Sequence, residues 1–219
     1  YRIYIDELEY NSDSPEDLLS LLSSRNVDIV ETDDIVLDYK TIAFLYPQNL
    51  GEKDQEFFCF EFLKQLIDDS NKVDLIRSPS INEITKFNDS RDDLNQISRD
   101  MAVENIAELS ILTIDETFKV NISVKSMNID SIIYENSFDS DISAIRSVSG
   151  EIIVDIASVF GLDVSDNLKK IFKQKVEISN KAYKLFLKGK FLSDKMTDAE
   201  SLKHSKEKLK KAIEIEDEF

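Results

Sequence analysis

The chain is short of the residues that most reaction and metal centres are built from. It has one cysteine and one histidine in 219 residues. One cysteine cannot close an internal disulfide, and one cysteine with one histidine cannot furnish a His/Cys metal site. Four glycines leave little room for a phosphate-cradling loop, and neither a glycine-rich phosphate motif nor an Asp-x-Asp-x-Asp-Gly calcium loop is present. Basic residues are scarce against acidic ones, 27 to 44, a net charge of −17. Such a surface repels phosphate backbones and anionic lipid. No stretch approaches the roughly 20 apolar residues of a membrane span. No basic-then-apolar leader is visible. The lone cysteine points to a reducing cytoplasm, with the periplasm as the alternative if a leader lies upstream. A chain running from Tyr1 to Phe219 is expected to be a piece of a longer protein. What the sequence does have is enough apolar side chain to pack a core, 42% hydrophobic with 13 Phe and 7 Tyr.

Residues 1–40 read as an N-terminal appendage or linker. Tyr1 to Ile5 alternates bulky and polar side chains, as a short strand does. Ser14-Pro15 caps and opens a helix with Leu18, Leu19, Leu21 and Leu22 on one face. Asn26 to Tyr39 mixes β-branched residues with acids and reads as an exposed strand or, preferably, a solvated linker. From Thr41 the pattern is that of a packed domain. Ile42 to Tyr46 is a continuous apolar run ended by Pro47, which predicts a strand buried on both faces. After a turn at Asn49-Leu50-Gly51, Glu52 to Ile67 predicts a helix with a wide apolar arc. Phe57, Phe60, Leu63 and Ile67 fall on one stripe, and Phe58, Phe62 and Leu66 on the next.

Val73 to Ile76 predicts a second strand. Ile81, Ile84 and Phe87 mark a turn or two of helix, and another helix starts at Asp92. Three strands follow, 105–114, 118–128 and 131–138. In the middle one Phe118, Val120, Ile122 and Val124 alternate with Lys119, Asn121, Ser123 and Lys125, the pattern of a strand with one wet face. Ser140-Asp141 caps a long helix carrying Ile142, Ile145, Val148, Ile152, Ile156 and Val159, stopped by Gly161. The expected fold is α/β, a mixed five-stranded sheet packed with helices over 41–165. A helical segment, 166–219, follows.

The run Ile42-Ala43-Phe44-Leu45-Tyr46-Pro47, the Asn49-Leu50-Gly51 turn and the helix start Gln55-Glu56-Phe57-Phe58 resemble the opening of the TolB-like amino-terminal domain of bacterial multidomain proteins. Ile97, Arg99-Asp100-Met101 and Val103-Glu104 are similar to that family's pattern before its third strand. Glu108, Ser110, Glu135 and Asp139 recur in its later strands. Departures are Phe60-Glu61 where the family commonly has Asp-Gly, Leu109 for a usual Gly, and Ile133 where Trp is common. Phe60 then reads first as core, and also as added apolar contact surface.

The segments Asn180 to Leu192 and Asp198 to Ile215 resemble a tetratricopeptide repeat, with Gly189 and Ala212 at the positions where two helices cross closely. A single repeat does not bury its own face, so the resemblance implies the truncated start of an array. Tyr1-Arg2-Ile3-Tyr4 resembles the closing strand of a class III nucleotide cyclase, a domain often joined to TolB-like ones.

No catalytic constellation is legible. Cys59 sits between Phe58 and Phe60 on an apolar face, where a thiol is usually inert packing. His204 lies on a lysine-rich helix and reads as a surface residue. The cluster Lys203, Lys206, Lys208, Lys210 and Lys211 reads as the solvated face of that helix. The expectation is therefore a non-enzymatic protein-interaction or regulatory module with no cofactor and no metal. It would bind a protein or peptide through the helical repeats, with Phe60, Tyr183, Phe186 and Phe191 as contact residues. Nucleic acid is not expected as a partner. The alternatives are the regulatory region of a class III cyclase, an envelope-associated TolB-like protein using its sheet edge, and a small-molecule sensor.

Overall fold

The computed structural model describes residues 2–5, 8–11, 39–87, 93–174, 178–195 and 199–216. Two compact units are present, 1–37 and 38–219. In the first, β1 (Arg2–Ile5) and β2 (Leu8–Asn11) pair antiparallel with Ile3 opposite Tyr10. The helix expected after Ser14 and the linker expected over 26–38 lie outside the described residues.

The strands of the second unit are β3 (Lys40–Phe44), β4 (Gln48–Asn49), β5 (Ile76–Arg77), β6 (Asn105–Ile114), β7 (Thr117–Ser126) and β8 (Ser131–Asp141). They build a mixed sheet in the order β5-β3-β6-β7-β8. β3 runs parallel to β5 and β6, and β6, β7 and β8 are antiparallel neighbours. The five expected strands form this path, and β4 adds a short sixth beside β6. Phe44 pairs with Ala107 and Gln48 with Ser110, so the edge beside β6 spends one residue more than β6 does. That extra residue falls around Pro47, which has no N–H for a ladder bond.

The helices are α1 (Glu56–Ser70), α2 (Ile81–Ile84), α3 (Leu94–Met101), α4 (Ile145–Val159), α5 (Asp166–Phe172), α6 (Asn180–Asp194) and α7 (Ala199–Ile215). α1 and α4 lie on one sheet face, meeting Ile42, Phe44, Ala107, Ile111 and Val120. α6 lies on the far side of α1, where Phe60 and Phe191 meet edge to face at 5.4 Å. This sandwiching explains the wide apolar arc: a helix covered by a sheet on one side and a helix on the other is hydrophobic nearly all round. Asp69, buried at the end of α1, accepts from Ser149 of α4 at 2.7 Å, from Gln65 at 2.9 Å and from Lys72 at 2.8 Å. A buried carboxylate is tolerated when its oxygens are met in this way.

Several local expectations shift; the helix read from Glu52 begins at Glu56, after a 3₁₀ turn over Lys53–Gln55, and the strand read to residue 128 ends at Ser126. The strand read at Val73–Ile76 is Ile76–Arg77, because Leu75 adopts φ 67° and interrupts extended backbone. The helix read from Ser140-Asp141 begins at Ile145, since β8 continues to Asp141 and a 3₁₀ turn spans Ile142–Ala144. Val159 is exposed rather than core, lying in the last turn of α4. Gly161 ends that helix at φ 72°, with Leu162 N–H bonding to the Ala157 carbonyl.

α6 and α7 form an antiparallel hairpin. The backbone N–H of Ser179, the cap of α6, donates to Glu216, just beyond α7. Ser205 Oγ donates to the Gly189 carbonyl at 2.8 Å. Ala182, Gly189, Ser205 and Ala212 are buried at the crossing.

Candidate functional site

The second face of the sheet is only half covered. α3 packs over Ala43, Leu45 and Ile106 with Ile97 and Val103. Beyond them the alternating side chains of β6, β7 and β8 face outward in cross-strand rows set by the register. Glu108 stands opposite Ser123 and Ser123 opposite Glu135; the next row is Ser110, Asn121 and Ser137. Within that row Asn121 donates to Ser110 Oγ at 3.1 Å and Ser137 Oγ donates to Asn121 Oδ1 at 2.9 Å. The floor is thus a neutral hydrogen-bonded ladder, fixed in position before any ligand arrives. In the row beyond, Lys119 and Asp139 are 3.7 Å apart, a pair exposed enough to contribute little.

These rows and the irregular edge at Leu45 to Gln48 enclose an open groove of about 610 Å³. Glu108 and Glu135 are the carboxylates on its walls, and Lys and Arg are absent from its described lining. Two strand spacings of about 4.8 Å separate the two glutamate backbones by about 10 Å. The groove can therefore hold a positively charged, extended ligand against carboxylates at either side. Cysteine and histidine are not among its described lining: Cys59 is buried inside α1, and His204 is exposed on α7. Among the described residues, no three His, Cys, Asp or Glu side chains come together as metal ligands would. No described helix is long and apolar enough to cross a membrane.

The structure brings Glu108, Ser110 and Glu135 into one groove and sets Asp139 beside it. Asn121 and Ser123 complete it; the wet face of β7 was legible as alternation, but the register that turns it into a groove floor was not. Phe60 and Phe191 meet each other between α1 and α6, with Lys195 Nζ 5.3 Å from both ring centroids. Tyr183 is buried and lies 6.0 Å from the half-buried Phe186. The expected lysine cluster is carried on α7, where Lys211 pairs with Glu207 at 2.7 Å and Lys210 with Glu214 at 4.0 Å.

No family model matches the chain, and no curated protein is similar to it in sequence. Among solved structures, TolB from Acinetobacter baumannii is similar over 56% of this chain at 12% identity and a TM-score of 0.41; this chain spans 28% of that one. Lipoprotein GNA1162 from Neisseria meningitidis is similar over 54% of this chain and 99% of its own, at 6% identity and a TM-score of 0.41. The LpoB C-terminal domain from Escherichia coli is similar over 49% of this chain and 87% of its own, at 11% identity and a TM-score of 0.36.

Proposed function

We propose that this chain is a non-catalytic protein-interaction module of a larger bacterial protein, and that it docks a basic, extended segment of its partner in the groove on the open sheet face. The observation that carries this reading is the facing pair Glu108 and Glu135 across a neutral floor, with no cation on the described walls. A polyproline II segment advances about 3.1 Å per residue with three residues per turn, so side chains three apart share one face and lie about 9 Å apart, close to the glutamate spacing of about 10 Å. The acidic surface adds steering for a cationic partner.

The test is fluorescence anisotropy with a labelled peptide carrying Arg at positions i and i+3. Binding to the unaltered chain is expected, with affinity lowered about tenfold or more by the double substitution Glu108→Gln and Glu135→Gln. Both glutamates are exposed, so the double variant retains the fold. Equal binding by the two proteins rejects the groove.

A second surface belongs to the same reading. On the α6–α7 hairpin, Phe186 and Phe191 are half-buried, with Tyr183 and Phe60 packed beside them. As the start of a repeat array, this face would hold a peptide through the two outer rings. The envelope alternative, with the module outside the cytoplasm, draws on the edge of β8. That strand is eleven residues long and has a single ladder partner, β7, among the described residues. Strand addition there uses backbone groups, so a partner indifferent to the two glutamine substitutions favours the edge. The cyclase alternative has only the resemblance of Tyr1–Tyr4 behind it.

A further inference from the structure

A second cavity, remote in chemistry from the groove, lies where α1, α4 and α6 meet. It holds about 280 Å³ and is lined by Glu61 of α1, Ile145 and Arg146 at the start of α4, and Tyr183, Leu187 and Lys190 of α6. The Glu61 side chain is 2% exposed. Its Oε2 meets Lys190 Nζ at 3.0 Å, while its Oε1 is buried without a hydrogen-bond partner. A carboxylate oxygen withdrawn from water and left without a donor is unfavourable, and native proteins rarely keep one without a use. The walls between are apolar, from Ile145 and Leu187. At the rim Arg146 is exposed and makes no ion pair among the described residues.

The three charged groups fix what fits. Glu61, Lys190 and Arg146 together carry one net positive charge, which disfavours a simple amine. The vacant acceptor of Glu61 asks for a donor, which a simple carboxylate lacks. A molecule that offers both an ammonium and a carboxylate, with an apolar body between the walls, matches these three charged groups. The volume suits a single amino acid and excludes a nucleotide. We propose that this cavity binds a free α-amino acid with an apolar side chain. A turn of the Glu61 carboxylate about its terminal torsion would bring Oε1 to the cavity, where the ligand's ammonium would donate to it; the ligand's carboxylate would pair with Arg146, and its side chain would lie against Ile145 and Leu187. Because α6 supplies Lys190, Tyr183 and Leu187, occupancy would also fasten the helical hairpin to the sheet domain.

Isothermal titration of the whole chain tests this with L-leucine and L-phenylalanine, beside 3-methylbutylamine, which lacks the carboxylate, and 4-methylpentanoate, which lacks the ammonium. Saturable binding of at least one amino acid is expected, with both leucine analogues weaker by about tenfold or more. Arg146→Ala, at an exposed position, is expected to weaken amino-acid binding to a similar degree and to leave the thermal midpoint of the empty protein unchanged. Absence of binding by both amino acids up to about 10 mM overturns the proposal. So does 4-methylpentanoate binding as tightly as leucine, or Arg146→Ala binding as well as the unaltered chain. The analogue comparison interrogates the Glu61 end without a substitution that could disturb folding.

Discussion

Glu61 is nearly sealed from water, a setting far from that of an ordinary surface glutamate. Burial pushes its carboxyl above the usual value of 4.5, against the opposing pull of Lys190 and, more weakly, Lys64. A group with a raised folded pKa binds its proton more readily folded than unfolded, so its ionisation makes stability fall as pH rises through that range. Glu61→Gln cannot titrate. The unfolding free energy of the Gln variant minus that of the unaltered protein should therefore grow as the pH is raised above 4.5. Urea denaturation at a series of pH values measures it; a difference that is flat or shrinks with pH would show that Lys190 outweighs burial. Asp69, by contrast, is equally buried but meets three donors.

Among the elements, the α6–α7 hairpin depends on backbones approaching closely. A Cβ added at Gly189 would stand 2.7 Å from Leu209 Cγ and 3.2 Å from its backbone nitrogen. Relief requires the two helices to separate. Gly189→Ala is therefore expected to destabilise the hairpin by about 1–3 kcal/mol, although alanine favours an isolated helix. Amide hydrogen exchange should quicken in α6 and α7 and stay unchanged in β6 and β7. Uniform quickening would place the hairpin inside the same cooperative unit as the sheet. A comparable contact joins α5 to α4, where a Cβ on Gly150 would meet Phe172 Cβ at 2.3 Å. Phe172 thereby secures the chain immediately after residue 165, and the helices beyond that point continue the packing rather than begin a detached body.

For the molecule as a whole, a net charge of −17 means that folding gathers like charges together. Its surface ion pairs are mostly exposed and worth little each. Salt shortens the range of repulsion more than it weakens close pairs. The thermal midpoint at pH 7 should therefore rise between about 0.02 and 0.5 M sodium chloride, by differential scanning calorimetry. A falling midpoint would mean that the ion pairs outweigh the net repulsion.

Much of this architecture was determined locally. A continuous apolar run marked β3, and periodicity marked β7, α1 and α4, because apolar spacing reports which side chains must leave water. Gly161 marked the end of α4, because left-handed backbone suits glycine. Phe60 was legible as apolar, but its ring partner lies on Phe191, in another helix. The groove was not legible at all as a groove. Glu108, Ser123 and Glu135 are polar residues of unremarkable spacing until antiparallel register places them in one row. The cavity at Glu61 needed three helices from separate parts of the chain. Sequence alone decides which residues a strand or helix turns inward, since that depends on neighbours along the chain; only tertiary packing decides which outward or half-buried polar groups face each other, since no local spacing encodes a distance across strands or between helices.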